Sequence, residues 1–200
     1  MFKFKPHINK RLEQNKKKVK KEGDRMNQRK TTKFALTIVM TTLTTVGTLL
    51  ITIPIPLAGY FNLGDVMIFI SALTFGPIIG GFAGGLGSAI ADMLVWPVYA
   101  IPTLIIKGLE GLLAGLLTNK KHIYRDVLAV IVAGVEMVLG YFIVDWLILK
   151  IGWASALGAV PFNVMQIISG GVIGIPIAYV LRRRLQENLK VWNTNFAKHN

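Results

Sequence analysis

Residues 61–93 read FNLGDVMIFISALTFGPIIGGFAGGLGSAIADM and carry no charged side chain between Asp65 and Asp92. The run is too apolar and too rich in glycine for the core of a soluble domain. Gly76 and Pro77 mark a break within it, because proline lacks the amide hydrogen that a helix interior needs and disfavours helix at the preceding residue. The run therefore predicts two membrane crossings.

Small residues line one face of the second crossing, which we place at about residues 78–96. Gly80, Gly84, Ser88 and Asp92 recur every four residues, so they share one side of a helix. Small side chains at this spacing let helix backbones approach closely in lipid. We therefore expect Asp92 to face protein and not lipid.

Composition extends this interpretation to the whole chain. Of 200 residues 52% are apolar, a share that, with a mean hydropathy of +0.52, is typical of a membrane protein. We predict an all-α polytopic fold with six transmembrane helices, at about residues 34–53, 63–75, 78–96, 102–117, 127–149 and 156–181.

Charge is distributed as in cytoplasmic flanks. The net charge is +13, and 21 of the 23 Lys and Arg residues fall in three polar segments, at 1–33, 119–126 and 182–200. Such clustering follows the positive-inside rule and gives no reason to expect a nucleic-acid partner. With six crossings, the N-terminus, the 119–126 loop and the C-terminus all lie on the cytoplasmic side.

The same pattern predicts the domain organisation. Residues 1–33 form a basic cytoplasmic tail, 34–184 a six-helix membrane domain and 185–200 a cytoplasmic C-terminal tail. Met26 is an alternative start, in which case residues 1–25 are absent from the protein.

Polar residues inside the spans are candidate ligand contacts, because ionisable groups in a membrane cost several kcal/mol unless they are paired or hydrated. Asp92 and Asn163 lie on faces otherwise made of small residues, which leaves room for a cavity. Lys107 and Glu110, three residues apart, either neutralise each other or contact a ligand. For Asp65 we favour capping of the second span over ligand binding.

Two further carboxylates have weaker assignments. Asp145, next to Trp146, is predicted to be interfacial. Glu136 lies near the midplane without an evident partner, so it is either protonated or bonded to a neighbouring helix.

Enzyme motifs are absent from the sequence. There is no GxSxG, HExxH or Walker lysine, no cysteine, and the three histidines all fall in polar segments. We predict a protein that is not an enzyme, with no catalytic residue, no metal site and no cofactor. Uphill transport would need energy from a partner or a coupled ion.

The 61–93 run, together with IIKGLEGLLAGLL at 105–117, resembles the substrate-binding S component of energy-coupling-factor (ECF) vitamin transporters. The resemblance is to the riboflavin-type branch, which includes proteins assigned to hydroxymethylpyrimidine and pyridoxine, and it covers about residues 34–184. It implies a multi-pass protein of the bacterial plasma membrane. It also implies a vitamin pocket in the outer half, under the loop after the first span.

The resemblance further implies partners and a transport cycle. An S component docks on a transmembrane coupling subunit, the T component, which works with two cytoplasmic ATPases, and it topples in the bilayer to deliver its vitamin inward. Docking uses an Ala-xxx-Ala pattern in the first span. Here that pattern is degenerate, with Ala35 followed by Val39 and Thr37 by Thr41.

Carried onto this chain, the resemblance places the pocket on polar and aromatic residues. A small heteroaromatic ring with hydroxymethyl groups suits them, so pyridoxine or hydroxymethylpyrimidine ranks above riboflavin. The alternative function is a self-standing carrier coupled to protons at Glu136 or Asp92. The predicted substrate-binding residues are Asn62, Asp65, Asp92, Trp96, Tyr99, Lys107, Glu110, Asn163 and Gln166, with Tyr60 as a further stacking wall.

Overall fold

The computed structural model describes residues 6–55, 59–119 and 122–198. Parts of the predicted segments therefore lie outside the described residues, namely the ends of both tails at 1–5 and 199–200 and the basic pair Lys120 and Lys121. The described chain is almost entirely helical. Its elements in order are α1 (Pro6–Leu50), β1 (Thr52–Pro54), β2 (Tyr60–Asn62), α2 (Gly64–Phe75), α3 (Pro77–Val95), α4 (Ala100–Leu117), α5 (Ile123–Ile143) and α6 (Trp153–Lys198).

Five helical segments among the described residues are long and apolar enough to cross a membrane, and α2 is a sixth, shorter apolar helix. This confirms the all-α polytopic fold. The division into two tails and a membrane domain, and the side of the membrane on which the termini lie, stay predictions. By its internal contacts the chain forms two units, residues 1–36 and 37–200. In the first, the described side chains between 13 and 35 are exposed.

Helix α2 is the shortest of the six helices, and protein surrounds it. Ten of its residues are buried, and Phe69 and Leu73 have no exposed surface. They pack with alanines of α4, α5 and α6, among them Ala114, Ala133 and Ala178. A helix that is apolar all round is expected in such a position. The predicted 63–75 span is therefore the core of the bundle.

Helices α3 and α4 are in backbone contact along the small-residue face that the sequence predicts. A Cβ atom on Gly80 would come within 2.7 Å of the Gly111 carbonyl oxygen, and one on Gly84 would overlap the carbonyl of Lys107. Any larger residue at either position would force the helices apart. Asp92, on the same face, is 4% exposed and turned into protein.

A two-stranded antiparallel hairpin replaces the plain loop expected after the first span. Thr52 pairs with Asn62, and Pro54 pairs with Tyr60. Gly59 has φ +74°, a left-handed conformation that favours glycine, and its carbonyl accepts a bond of 3.0 Å from the Ile55 amide. The hairpin places Tyr60 and Asn62 at one end of the helical bundle.

Candidate ligand-binding site

A polar cavity lies at the end of the bundle where the hairpin meets α3, α4, α5 and α6. Its volume is about 30 Å³. The cavity is therefore narrow. Its lining consists of Gly59, Tyr60, Asn62, Asp92, Tyr99, Thr103, Tyr141, Asp145, Asn163 and Gln166.

One wall is built on Asp92, which lies in the last turn of α3. The Tyr60 hydroxyl donates a hydrogen bond to its Oδ1 atom. Beside this pair, the Thr103 hydroxyl lies 2.8 Å from the Tyr141 hydroxyl. Burial and the nearby Asp92 carboxylate raise the pKa of Tyr60 well above its usual value, which keeps its hydroxyl a donor.

A second wall repeats this arrangement with Asp145, whose Oδ1 accepts a 2.7 Å bond from the Tyr99 hydroxyl. The interfacial assignment of Asp145 is wrong, since the residue is 2% exposed and lines the cavity. The cause is local geometry, because α5 continues as a π-helical turn over Val144–Ile148 that changes the direction of its side chains. Regular α-helical spacing does not identify this contact, because the π-helical turn begins one residue before Asp145.

Two amide side chains of α6 complete the cavity. The Gln166 Nε2 atom lies 3.4 Å from the Asn163 Oδ1 atom, and the Gln166 Oε1 atom is buried without a hydrogen-bond partner. Asn62, on the hairpin, accepts a 2.8 Å bond from the Gly64 amide at the start of α2. Asn62 therefore bonds the first amide of α2, whose N-cap residue, Leu63, makes no side-chain capping bond.

Three predicted ligand contacts form a buried ion cluster next to the cavity instead of lining it. The Lys107 Nζ atom lies 2.5 Å from an Asp65 oxygen and 2.9 Å from Glu110. It is also 5.8 Å from the centre of the Tyr141 ring, which does line the cavity. Asp65 is thus an ion-pair partner of Lys107, and the structure answers the Lys107 and Glu110 alternative in favour of pairing.

The remaining predicted residues are not among the described lining residues of the cavity. Trp96 is half-buried at the end of α3 and is not among the described lining residues. On α1, Ala35 and Val39 are exposed, whereas Thr37 and Thr41 are half-buried. Their role in docking stays a prediction.

A wider groove of about 590 Å³ runs along the outer face of α3 and α4. Its lining is apolar, with Phe82, Leu86 and Ile105 among the exposed side chains. A groove of this kind offers no group that could orient a polar molecule. The polar cavity, with its buried carboxylates and amides, is the better candidate for a specific ligand.

Taken together, the helical membrane fold and the buried polar cavity define a membrane protein that binds a small polar molecule. The model of the family "ECF-type riboflavin transporter, S component" matches residues 28–183. The chain belongs to this family. It is accordingly the substrate-binding subunit of a vitamin transporter and a multi-pass protein of the plasma membrane. The family consists of transport components and not of enzymes.

The chain is also similar to individual proteins. The chain is 33% identical over 161 residues to the "Thiamine precursor transporter HmpT" of Lactococcus lactis subsp. cremoris (strain MG1363), covering 79% of this chain and 92% of that protein. It is 42% identical over 143 residues to a Pyrococcus woesei protein named only "Uncharacterized protein in gap 3'region", covering 70% and 95%. A solved S component of a bacterial ECF transporter matches the fold with a TM-score of 0.63 and 22% identity, covering 80% of this chain and 99% of that one.

Proposed function

We propose that this subunit captures a small one-ring vitamin, with a hydroxymethylpyrimidine favoured, pyridoxine second and riboflavin third. The observation that carries the proposal is the narrow cavity ringed by Asp92, Asp145, Asn163 and Gln166. Such a ring of acceptors and amides suits a compact heterocycle with hydroxyl and amino groups. The kinship with a thiamine precursor transporter supports the same ranking.

Cavity size argues for one ring over three. Tyr60, Tyr99 and Tyr141 border the space and offer ring faces for stacking. A one-ring ligand requires these side chains to move apart by less than a three-ring ligand does. Because the ordering and movement of side chains cost binding free energy, the smaller ligand is favoured.

The transport cycle belongs to the proposal as well. The subunit docks through the α1 face at Ala35, Thr37, Val39 and Thr41 on a T component that acts with two cytoplasmic ATPases, and it has no ATPase site of its own. It binds its vitamin from outside with both termini in the cytoplasm, and it topples to release the vitamin inward. No cofactor takes part.

The first test is mass spectrometry of small molecules released from the detergent-purified protein, followed by titration with hydroxymethylpyrimidine, pyridoxine and riboflavin. We expect stoichiometric binding of one of the first two without ATP. Glu187→Gln, an exposed carboxylate far along α6, is the matched control for pocket variants. Failure of all three compounds to bind would contradict the proposal.

A second test addresses the partners. Uptake of the bound vitamin is measured in cells with and without the T component and the ATPases. We expect uptake to disappear without them. Undiminished uptake would contradict the proposed mechanism and favour the self-standing carrier.

A further inference from the structure

The cavity carries negative charge without a matching cation. Asp92 and Asp145 line it, and no Lys, Arg or His is among the described residues of its lining. Their tyrosine partners, Tyr60 and Tyr99, are neutral donors and leave the formal charge at two carboxylates. Buried carboxylates are costly unless a cation or several donors compensate them.

The neighbouring ion cluster does not supply the missing cation. Lys107 is shared between two carboxylates, those of Asp65 and Glu110. Lys107 is also not among the described residues that line the cavity. The two lining carboxylates are therefore left without a cation of their own.

A third acceptor in the cavity, an amide oxygen of Gln166, also lacks a matching donor. Gln166 is 3% exposed, and its Oε1 atom has no hydrogen-bond partner although the residue lines the cavity. An unpaired buried acceptor costs free energy that a donor on a ligand would recover. The cavity thus presents more acceptors than donors.

From this imbalance we infer that the ligand is bound as a cation rich in N–H donors, namely an aminopyrimidine protonated on its ring. This deepens the proposed function and rests on it. An amino group beside a protonated ring nitrogen forms a flat pair of N–H donors, the arrangement that binds a carboxylate through two parallel hydrogen bonds. Asp145 is the carboxylate we assign to this pair; its described hydrogen bond comes from Tyr99 and involves the Oδ1 atom alone.

The test compares two ligands that differ at one position. One is 4-amino-5-hydroxymethyl-2-methylpyrimidine, and the other is its 4-oxo counterpart, in which the amino donor becomes a carbonyl acceptor. The inferred site pairs its buried acceptors with donors on the ligand, and such a site rejects an analogue in which a donor is replaced by an acceptor. We therefore expect the oxo compound to bind the wild-type protein at least about 100-fold more weakly. Equal affinity for the two compounds would overturn the inference and leave the proposed function standing.

A variant locates the contact. In Asp145→Asn, we expect affinity for the amino compound to fall by about 100-fold and affinity for the oxo compound to change less than about threefold. Glu187→Gln serves as the control and should bind both like the wild type. An equal loss for both compounds in Asp145→Asn would assign Asp145 a purely structural role and overturn its part of the inference.

The wild-type comparison needs no variant, so the inference can be tested even if Asp145→Asn fails to fold. Tight binding of pyridoxine with no preference for the amino compound would overturn the inference alone. Absence of binding by every vitamin tested would overturn the proposed function and the inference together.

Discussion

The two ends of the helical bundle use buried aspartates in opposite ways. At one end, Asp126 accepts hydrogen bonds on both oxygens from the Arg182 guanidinium and a further bond from the Thr118 hydroxyl. At the other end, Asp92 and Asp145 line a cavity, and the hydrogen bonds described for them come from the neutral hydroxyls of Tyr60 and Tyr99. All three are nearly inaccessible to solvent.

The contrast separates structural carboxylates from ligand-binding ones. Asp126 has its charge matched and its acceptors used, so it joins α5 to α6 and has little capacity left for another partner. Asp92 and Asp145 retain charge and acceptor capacity beside an open space. Burial alone does not distinguish the two roles, whereas the identity of the hydrogen-bond partners does.

The largest loss of stability is expected at the Asp126 end of the bundle. Arg182→Met leaves Asp126 buried without a countercharge, which should lower the free energy of unfolding by about 3–5 kcal/mol. Thermal unfolding in detergent would measure this. The double variant Arg182→Met with Asp126→Asn should recover much of the loss. An Arg182→Met variant as stable as the wild type would contradict the structural role of Asp126.

At the cavity end, Asp92→Asn should weaken vitamin binding by about 1.5–3 kcal/mol, because a charged acceptor is replaced by a neutral amide. Its unfolding temperature should change far less than that of Arg182→Met, since the Tyr60 hydroxyl keeps an acceptor. Titration calorimetry of the folded protein gives the affinity. Unchanged affinity combined with strong destabilisation would place Asp92 in the structural class.

A packing contact between two uncharged residues lies at the Asp126 end. It separates the effect of packing on stability from the effect of charge. A Cβ atom on Gly115 would come within 2.5 Å of the Pro77 backbone, so Gly115→Ala should cost about 1–3 kcal/mol of stability through overpacking. Affinity measured on the folded fraction should stay as in the wild type. Loss of affinity would show that the two ends are coupled.

The smallest change in stability is expected for an ion pair at the surface. Arg183 is 3.1 Å from Glu187, and both side chains are well exposed. Arg183→Gln should change stability by no more than about 0.5 kcal/mol. A shift comparable to that of Arg182→Met would mean that burial does not govern the strength of these ion pairs.

The sequence predicts the fold better than the site. Uncharged runs and the Gly-Pro break locate the helices, because a bilayer imposes apolarity over a fixed length. Several predicted contacts do meet at the cavity, among them Asn62, Asp92, Tyr99, Asn163 and Gln166. They were identifiable because polar residues on small-residue faces are rare in membrane spans.

The contacts that the sequence does not predict join residues far apart in the chain or arise from irregular backbone. Spacing shows Glu110 next to Lys107, but it cannot show that Asp65 binds the same ammonium from 42 residues away. Asp145 enters the cavity through a π-helical turn that no motif announces. Residue type alone suggests Trp96 as a stacking wall, but Trp96 lies at the end of α3 and is not among the described lining residues of the cavity.

The backbone contact of α3 with α4 bears on the kinetics of ligand entry. With Gly80 against Gly111 and Gly84 against the Lys107 carbonyl, these two helices have no side-chain layer in which to slide or separate. Opening of the narrow cavity is therefore left to the hairpin, α5 and α6. The observed association rate should level off at high vitamin concentration, at the rate with which that side opens.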